Sequence, residues 1–108
     1  MILLLDQGTP LPLRTHLVDH AVVSAFEKGW SELDNGELLA VAEAEGFDAL
    51  ITTDQNLRYQ QNLTKRRIAV VVLLTANWPR IKKNIHLVLD AINNVSVGTY
   101  QEVWFPDK

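Results

Sequence analysis

Residues 3–10 read LLLDQGTP, and residues 50–57 read LITTDQNL. Each is an apolar run that stops at an aspartate followed by glutamine, and the reading of this pair decides the fold. Ile2 to Leu5 and Ala49 to Thr52 are continuous and apolar or β-branched, the pattern of strands buried on both faces, which points to a parallel sheet covered by helices. In such a sheet every strand-to-helix turn emerges at the carboxyl edge, where α/β folds place their ligand sites. Asp6 and Asp54 therefore fall together at one edge. Two acids there suggest chemistry, although each also has a local use: Asp6 in tightening its turn and Asp54 in capping a helix that starts near Asn56.

The rest of the chain supports an alternating order. HAVVSAF (20–26) offers a strand over Ala21 to Ser24, and IAVVVLL (68–74) is the most β-prone segment. TYQEVWF (99–105) alternates as an edge strand. In GTPLPLRTHL (8–17), Thr9 is placed to cap a helix with Pro10 at its first position. LDNGELLAVAEAEG (33–46) reads as a helix with Leu38, Leu39, Val41 and Ala42 on its apolar face and Gly46 at its end. QNLRYQQNLTKRR (55–67) reads as a short helix plus loop. Asn77 caps a last helix with Pro79 in its first turn, and Ile81, Ile85, Val88 and Ile92 line one face of it. The expectation is one α/β domain over residues 1–108, with a mostly parallel five-stranded sheet in three layers.

Composition limits the classes. With 108 residues and 47% hydrophobic content, the chain suffices for one cored domain. It has no cysteine, which suits a cytoplasmic location, and MILLL is too short and lacks the basic flank of a signal peptide. The net charge of −3 means that any nucleic-acid contact has to come from a local patch, and Lys65, Arg66 and Arg67 are the cluster singled out for it. Against this stands the commoner role of such a run as a solvated loop. Trp30, Trp78 and Trp104 read as core or interface residues, and the three histidines show no metal-ligand spacing.

Asp34 opens DNGE (34–37), close to a capping box, with Glu37 three residues on. Capping accounts for it, yet a helix start also projects a carboxylate into the neighbouring cleft. Carboxylates gathered at one edge repel one another, and a hard divalent cation such as Mg²⁺ or Mn²⁺ relieves that repulsion. The ion would also activate water for phosphodiester hydrolysis.

At this point LLLDQGTP, LDNGELLAVAEAEG and LITTDQNL resemble, in order and spacing over roughly residues 1 to 75, the PIN-like domains, in particular a compact bacterial family associated with toxin–antitoxin modules. The last helix and strand agree in type only. The resemblance implies strand order 3-2-1-4-5, descent from metal-dependent ribonucleases and an antitoxin partner. It also implies a catalytic and Mg²⁺- or Mn²⁺-binding set at Asp6, Asp34 and Asp54, with RNA as substrate, whose phosphate backbone the separately read Lys65, Arg66 and Arg67 would steer. Gln7 and Asn56 stand where the family's motifs carry further acids. Amide oxygens can ligate a hard cation but bring no charge, so metal affinity falls. A catalytically weakened module that binds RNA or a partner protein is the alternative, and the TYQEVWF edge is a candidate homodimer contact. The first motif also superficially matches the haloacid dehalogenase nucleophile motif, but that chemistry needs an acid where Gly8 stands.

Overall fold

The structure is a computed structural model that describes residues 1–57 and 66–106. Among these the chain forms β1 (Ile2–Leu5), a 3-10 helix (Leu11–His16), β2 (Ala21–Ser24), α1 (Asn35–Ala44) and β3 (Ala49–Thr52). It continues as β4 (Ala69–Leu73), α2 (Trp78–Lys83), α3 (Ile85–Asn93) and β5 (Tyr100–Val103). The five strands make one sheet in which every pairing is parallel. Helices cover both faces, as expected of a layered α/β fold.

Strand residues alternate strictly between the two faces, as a period of two requires. Leu3, Leu5, Ala49, Ile51, Ala69, Val71 and Leu73 pack with Leu13, Ile81, Val88 and Ile92, beneath the 3-10 helix, α2 and α3. Leu4, Leu50, Val70 and Val72 pack with Leu38, Leu39 and Ala42 of α1. Leu3, Leu4 and Leu5 are all fully buried, each contributing roughly 1.5–3 kcal/mol by removal from water. This two-sided burial is why their run is continuous instead of alternating.

The strand order is β2-β1-β3-β4-β5, not the 3-2-1-4-5 that the resemblance implied. β1 pairs with β3, with Leu5 opposite Ile51, so the order reverses direction between β1 and β3. At such a switch point the turns leave in opposite directions, opening a crevice outside the carboxyl ends. Asp6 and Asp54 follow the two strands that border it.

Two local expectations change. Thr9 caps no helix. Its hydroxyl donates to the Ile51 carbonyl at 3.0 Å and its N–H to that of Asp6 at 3.0 Å, fastening the 6–9 turn onto β3. Pro10 takes the N-cap position, and with Pro12 also lacking an N–H the segment closes as one short 3-10 helix. The last helix is two. Asn84 adopts φ −122° and ψ 31°, and its amide donates to the Arg80 carbonyl at 2.9 Å. That side chain takes the acceptor that a continuing helix would have used, so α2 stops and α3 starts afresh. The inward face survives the break, with Ile81, Val88 and Ile92 buried.

The expected bounds and cap of α1 hold. Asp34 is its N-cap in a complete capping box with Glu37, and Gly46 takes φ +86° beyond its end. Val41, expected on the apolar face, is only half-buried. The helix-plus-loop expected over 55–67 lies, for residues 58–65, outside the described residues.

Candidate functional site: two carboxylates at the switch point

Asp6 is the first residue past β1, half-buried, with its N–H on the Ile51 carbonyl at 2.9 Å. Its Oδ1 accepts the Gln7 backbone N–H at 2.8 Å and its Oδ2 accepts the Thr52 hydroxyl at 2.8 Å. Thr52 is fully buried at the end of β3. Its hydroxyl oxygen in turn accepts the Asp54 backbone N–H at 3.1 Å. One buried hydroxyl thus links the two acidic loops, which lie 48 positions apart in sequence. This juxtaposition is what the paired motifs led us to expect. Gly8 makes room for it, since a Cβ there would stand 3.1 Å from the Thr53 hydroxyl.

Asp54 is half-buried too. Its Oδ1 accepts the Asn56 N–H at 2.9 Å in an Asx-type turn, the local role foreseen for it. Its Oδ2 accepts the Asn35 side-chain amide at 2.7 Å. Asn35 is the first residue of α1, so the start of that helix does reach the site, but through the amide and not through Asp34. Asp34 is exposed and its Oδ1 accepts the Glu37 N–H at 2.8 Å, while Glu37 accepts the Asp34 N–H at 3.2 Å. Among the described residues, no three His, Cys, Asp or Glu side chains are grouped so as to hold a metal ion. The expected three-acid set is therefore present as a pair plus a cap.

The donor chemistry of that pair fits a Mg²⁺ or Mn²⁺ ion of the kind that takes one or two protein carboxylates and completes its shell with water and substrate phosphate. It does not make an all-protein cage. Beside Asp6 opens a hollow of about 190 Å³ that reaches Gln7, Ser24, Phe26 and Arg14. The Arg14 guanidinium is already paired with Glu27, whose carboxylate also takes the Ser24 N–H at 3.1 Å.

Arg66 and Arg67 lie elsewhere. They precede β4, so in an all-parallel sheet they lie at the amino edge, opposite Asp6 and Asp54. Lys65 lies outside the described residues. Arg66 sits 3.8 Å from the Glu43 carboxylate, and that carboxylate accepts the Arg67 and Ile68 backbone N–H groups at 2.6 and 3.3 Å. These contacts, the Arg67 N–H foremost, hold the Glu43 carboxyl below its ordinary range against the opposing effect of burial. Another hollow, about 530 Å³, is at this amino edge with Glu43, Asp48 and Arg67 in its wall, away from the paired acids. Through its contacts with Arg66, Arg67 and Ile68, Glu43 ties α1 to the start of β4.

Sequence reasoning missed Thr52 and Asn35. The signal for Thr52 was a hydroxyl at a strand end two residues before an acid, and for Asn35 an amide at the first position of a capped helix. It also passed over Arg80, Lys82, Lys83 and His86, because Pro79, Ile81, Asn84 and Ile85 interrupt the charges along the chain. No helix among the described residues is long and apolar enough to cross a membrane. No family model, no curated protein and no solved structure matches the chain.

Proposed function

We propose that this chain is a PIN-like domain that acts on RNA as a Mg²⁺- or Mn²⁺-dependent ribonuclease of reduced metal affinity, through Asp6 and Asp54. The observation that carries the reading is the Asp6–Thr52–Asp54 linkage at the β1/β3 switch point. Two loops distant in sequence are held in one place by a buried hydroxyl, at the edge where such folds bind ligands. Thr52 fixes the orientation of the Asp6 carboxylate, and Asn35 does the same for Asp54. Carboxylates fixed in this way would hold a hard cation without reorganising, and the cation's charge, not their own, would face the phosphodiester. The ion, when bound, supplies a water of lowered pKa and neutralises charge on the phosphodiester.

The weakened module that binds RNA or a partner protein without cleaving is the second reading, and Asn35 favours it. An amide occupies the place next to Asp54 where a third carboxylate would strengthen metal binding. The resemblance extends either reading to a toxin component with an antitoxin as protein partner. The β5 edge, where Trp104 is 69% exposed, is the proposed homodimer contact.

Thermal melts with Mn²⁺, Mg²⁺ and EDTA separate the two readings. A ligand that binds only the folded state raises Tm by mass action. The expected result is a metal-dependent rise in the wild type that Asp6→Asn abolishes, together with loss of RNA cleavage. A wild type that ignores both ions would remove the ribonuclease reading and leave the binding module.

A further inference from the structure

The two faces of the sheet differ in charge. α1, with its cap and C-terminus, carries Asp34, Glu37, Glu43 and Glu45 and no basic residue. On the other face the stretch 76–89 carries Arg80, Lys82, Lys83 and His86 and no acid, the next being Asp90. Three of the seven described lysines and arginines lie within four residues of one another there. Ile81 and Val88 turn inward, which sets Lys82, Lys83 and His86 outward, all exposed, with Arg80 half-buried beside them. Ion pairs join Arg14 to Glu27, Lys28 to Glu45 and Arg66 to Glu43, and none of these three engages Lys82 or Lys83.

This basic face begins at the acidic edge. The loop into α2 leaves β4 at the carboxyl end, one strand over from β3, and the Gln55 side-chain amide donates to the Leu74 carbonyl at 3.5 Å. That bond ties the loop of Asp54 to the approach of α2. With a rise of about 1.5 Å per residue, the cations on α2 lie within roughly two turns of the helix start.

We propose that the exposed face formed by Lys82, Lys83 and His86, with Arg80 alongside, is the surface that holds the phosphate backbone of single-stranded RNA as it leads to the Asp6–Asp54 edge. The inference rests on the RNA reading above and replaces the 65–67 cluster as the phosphate contact. Lysine is a flexible point charge, suited to a repeating phosphate chain more than to one fixed carboxylate fork. A row of such charges releases counterions on binding, which is how a protein of net charge −3 can still take up a polyanion on one side.

The test is equilibrium binding of a fluorescently labelled 20-nucleotide RNA to the full chain in EDTA across a salt series, so that neither metal nor cleavage enters the readout. For the wild type, log K falls linearly with log salt. Lys82→Gln/Lys83→Gln should lower affinity about tenfold or more at low salt and reduce the slope by about 1.4, two phosphate contacts at about 0.7 each. Arg67→Gln, at the opposite edge, should keep both. Because both lysines are exposed, the double variant should melt with the wild type. Loss of binding in Arg67→Gln but not in the lysine variant would overturn this surface and leave the RNA reading standing. A wild type that binds no RNA at any salt would overturn the RNA reading itself. Binding of a polyglutamate peptide in place of RNA would overturn the proposal in favour of an acidic protein partner.

Discussion

Thr52 is the residue on which the edge turns. It donates to one acidic loop and accepts from the other, and it is fully buried. Thr52→Val keeps shape and β-propensity but leaves the Asp6 carboxylate and the Asp54 N–H each short of a partner. Unsatisfied groups of this kind cost about 1–3 kcal/mol, more where one is charged. Denaturant melts should show that loss, and metal affinity should fall with it because Asp6 is no longer oriented. A Thr52→Val variant with unchanged stability would mean that the linkage is incidental. The motif LITTDQNL displays the aspartate and its strand openly; the importance of the hydroxyl before it depends on a partner 46 positions away.

At the scale of elements, α1 is anchored at both ends by acids with separable roles. At its start, Asp34→Ala should cost about 1 kcal/mol through loss of the cap, whereas Asp34→Asn, an equally good cap, should melt with the wild type. If Asp34 does no more than cap, Asp34→Asn also keeps the Mn²⁺ response; loss of that response at unchanged stability would restore it as a ligand. At the other end Glu43 accepts N–H groups from the start of β4. Its carboxyl is held below the ordinary value of 4.5, so the folded state binds its proton less readily than the unfolded chain. Its contribution is therefore full above that value and is lost as pH falls through the lower folded value. Stability curves between pH 6 and 3 should fall less steeply for Glu43→Gln than for the wild type, from a lower plateau at pH 6. Equal acid limbs would show that Glu43 adds nothing. The capping box was legible because its parts lie within four residues, while the clasp on β4 joins residues 24 and 25 apart.

For the whole molecule, the parallel layered sheet followed from the alternation of buried strands and helical segments, and the meeting of Asp6 and Asp54 at the carboxyl edge followed from the sheet. β1, β2 and β3 lie where their sequence patterns put them, and β1 and β3, buried on both faces, carry that signature in consecutive residues. Order within the sheet has no such local signature. Whether β1 pairs with β3 or β4 depends on how crossovers pack, and the observed order sets the reversal between the two strands that bear the acids. The same holds for charge. A net value of −3 conceals an acidic α1 side and a basic α2–α3 side, which the fold separates by the thickness of the sheet.

By itself, then, the sequence determined the strands, the capped helix α1, the class of fold and the pair of acids at one edge, since each rests on periodicity and on short-range chemistry written in contiguous residues. Tertiary structure alone decided that Asn35 and not Asp34 reaches Asp54, that Thr9 serves β3 instead of a helix, and that Arg66 and Arg67 face away from the site. In each case side chains choose partners by distance and hydrogen-bond geometry after the chain has folded, and several of those partners compete for the same group. Local propensity ranks the options for a residue; the packed sheet selects among them.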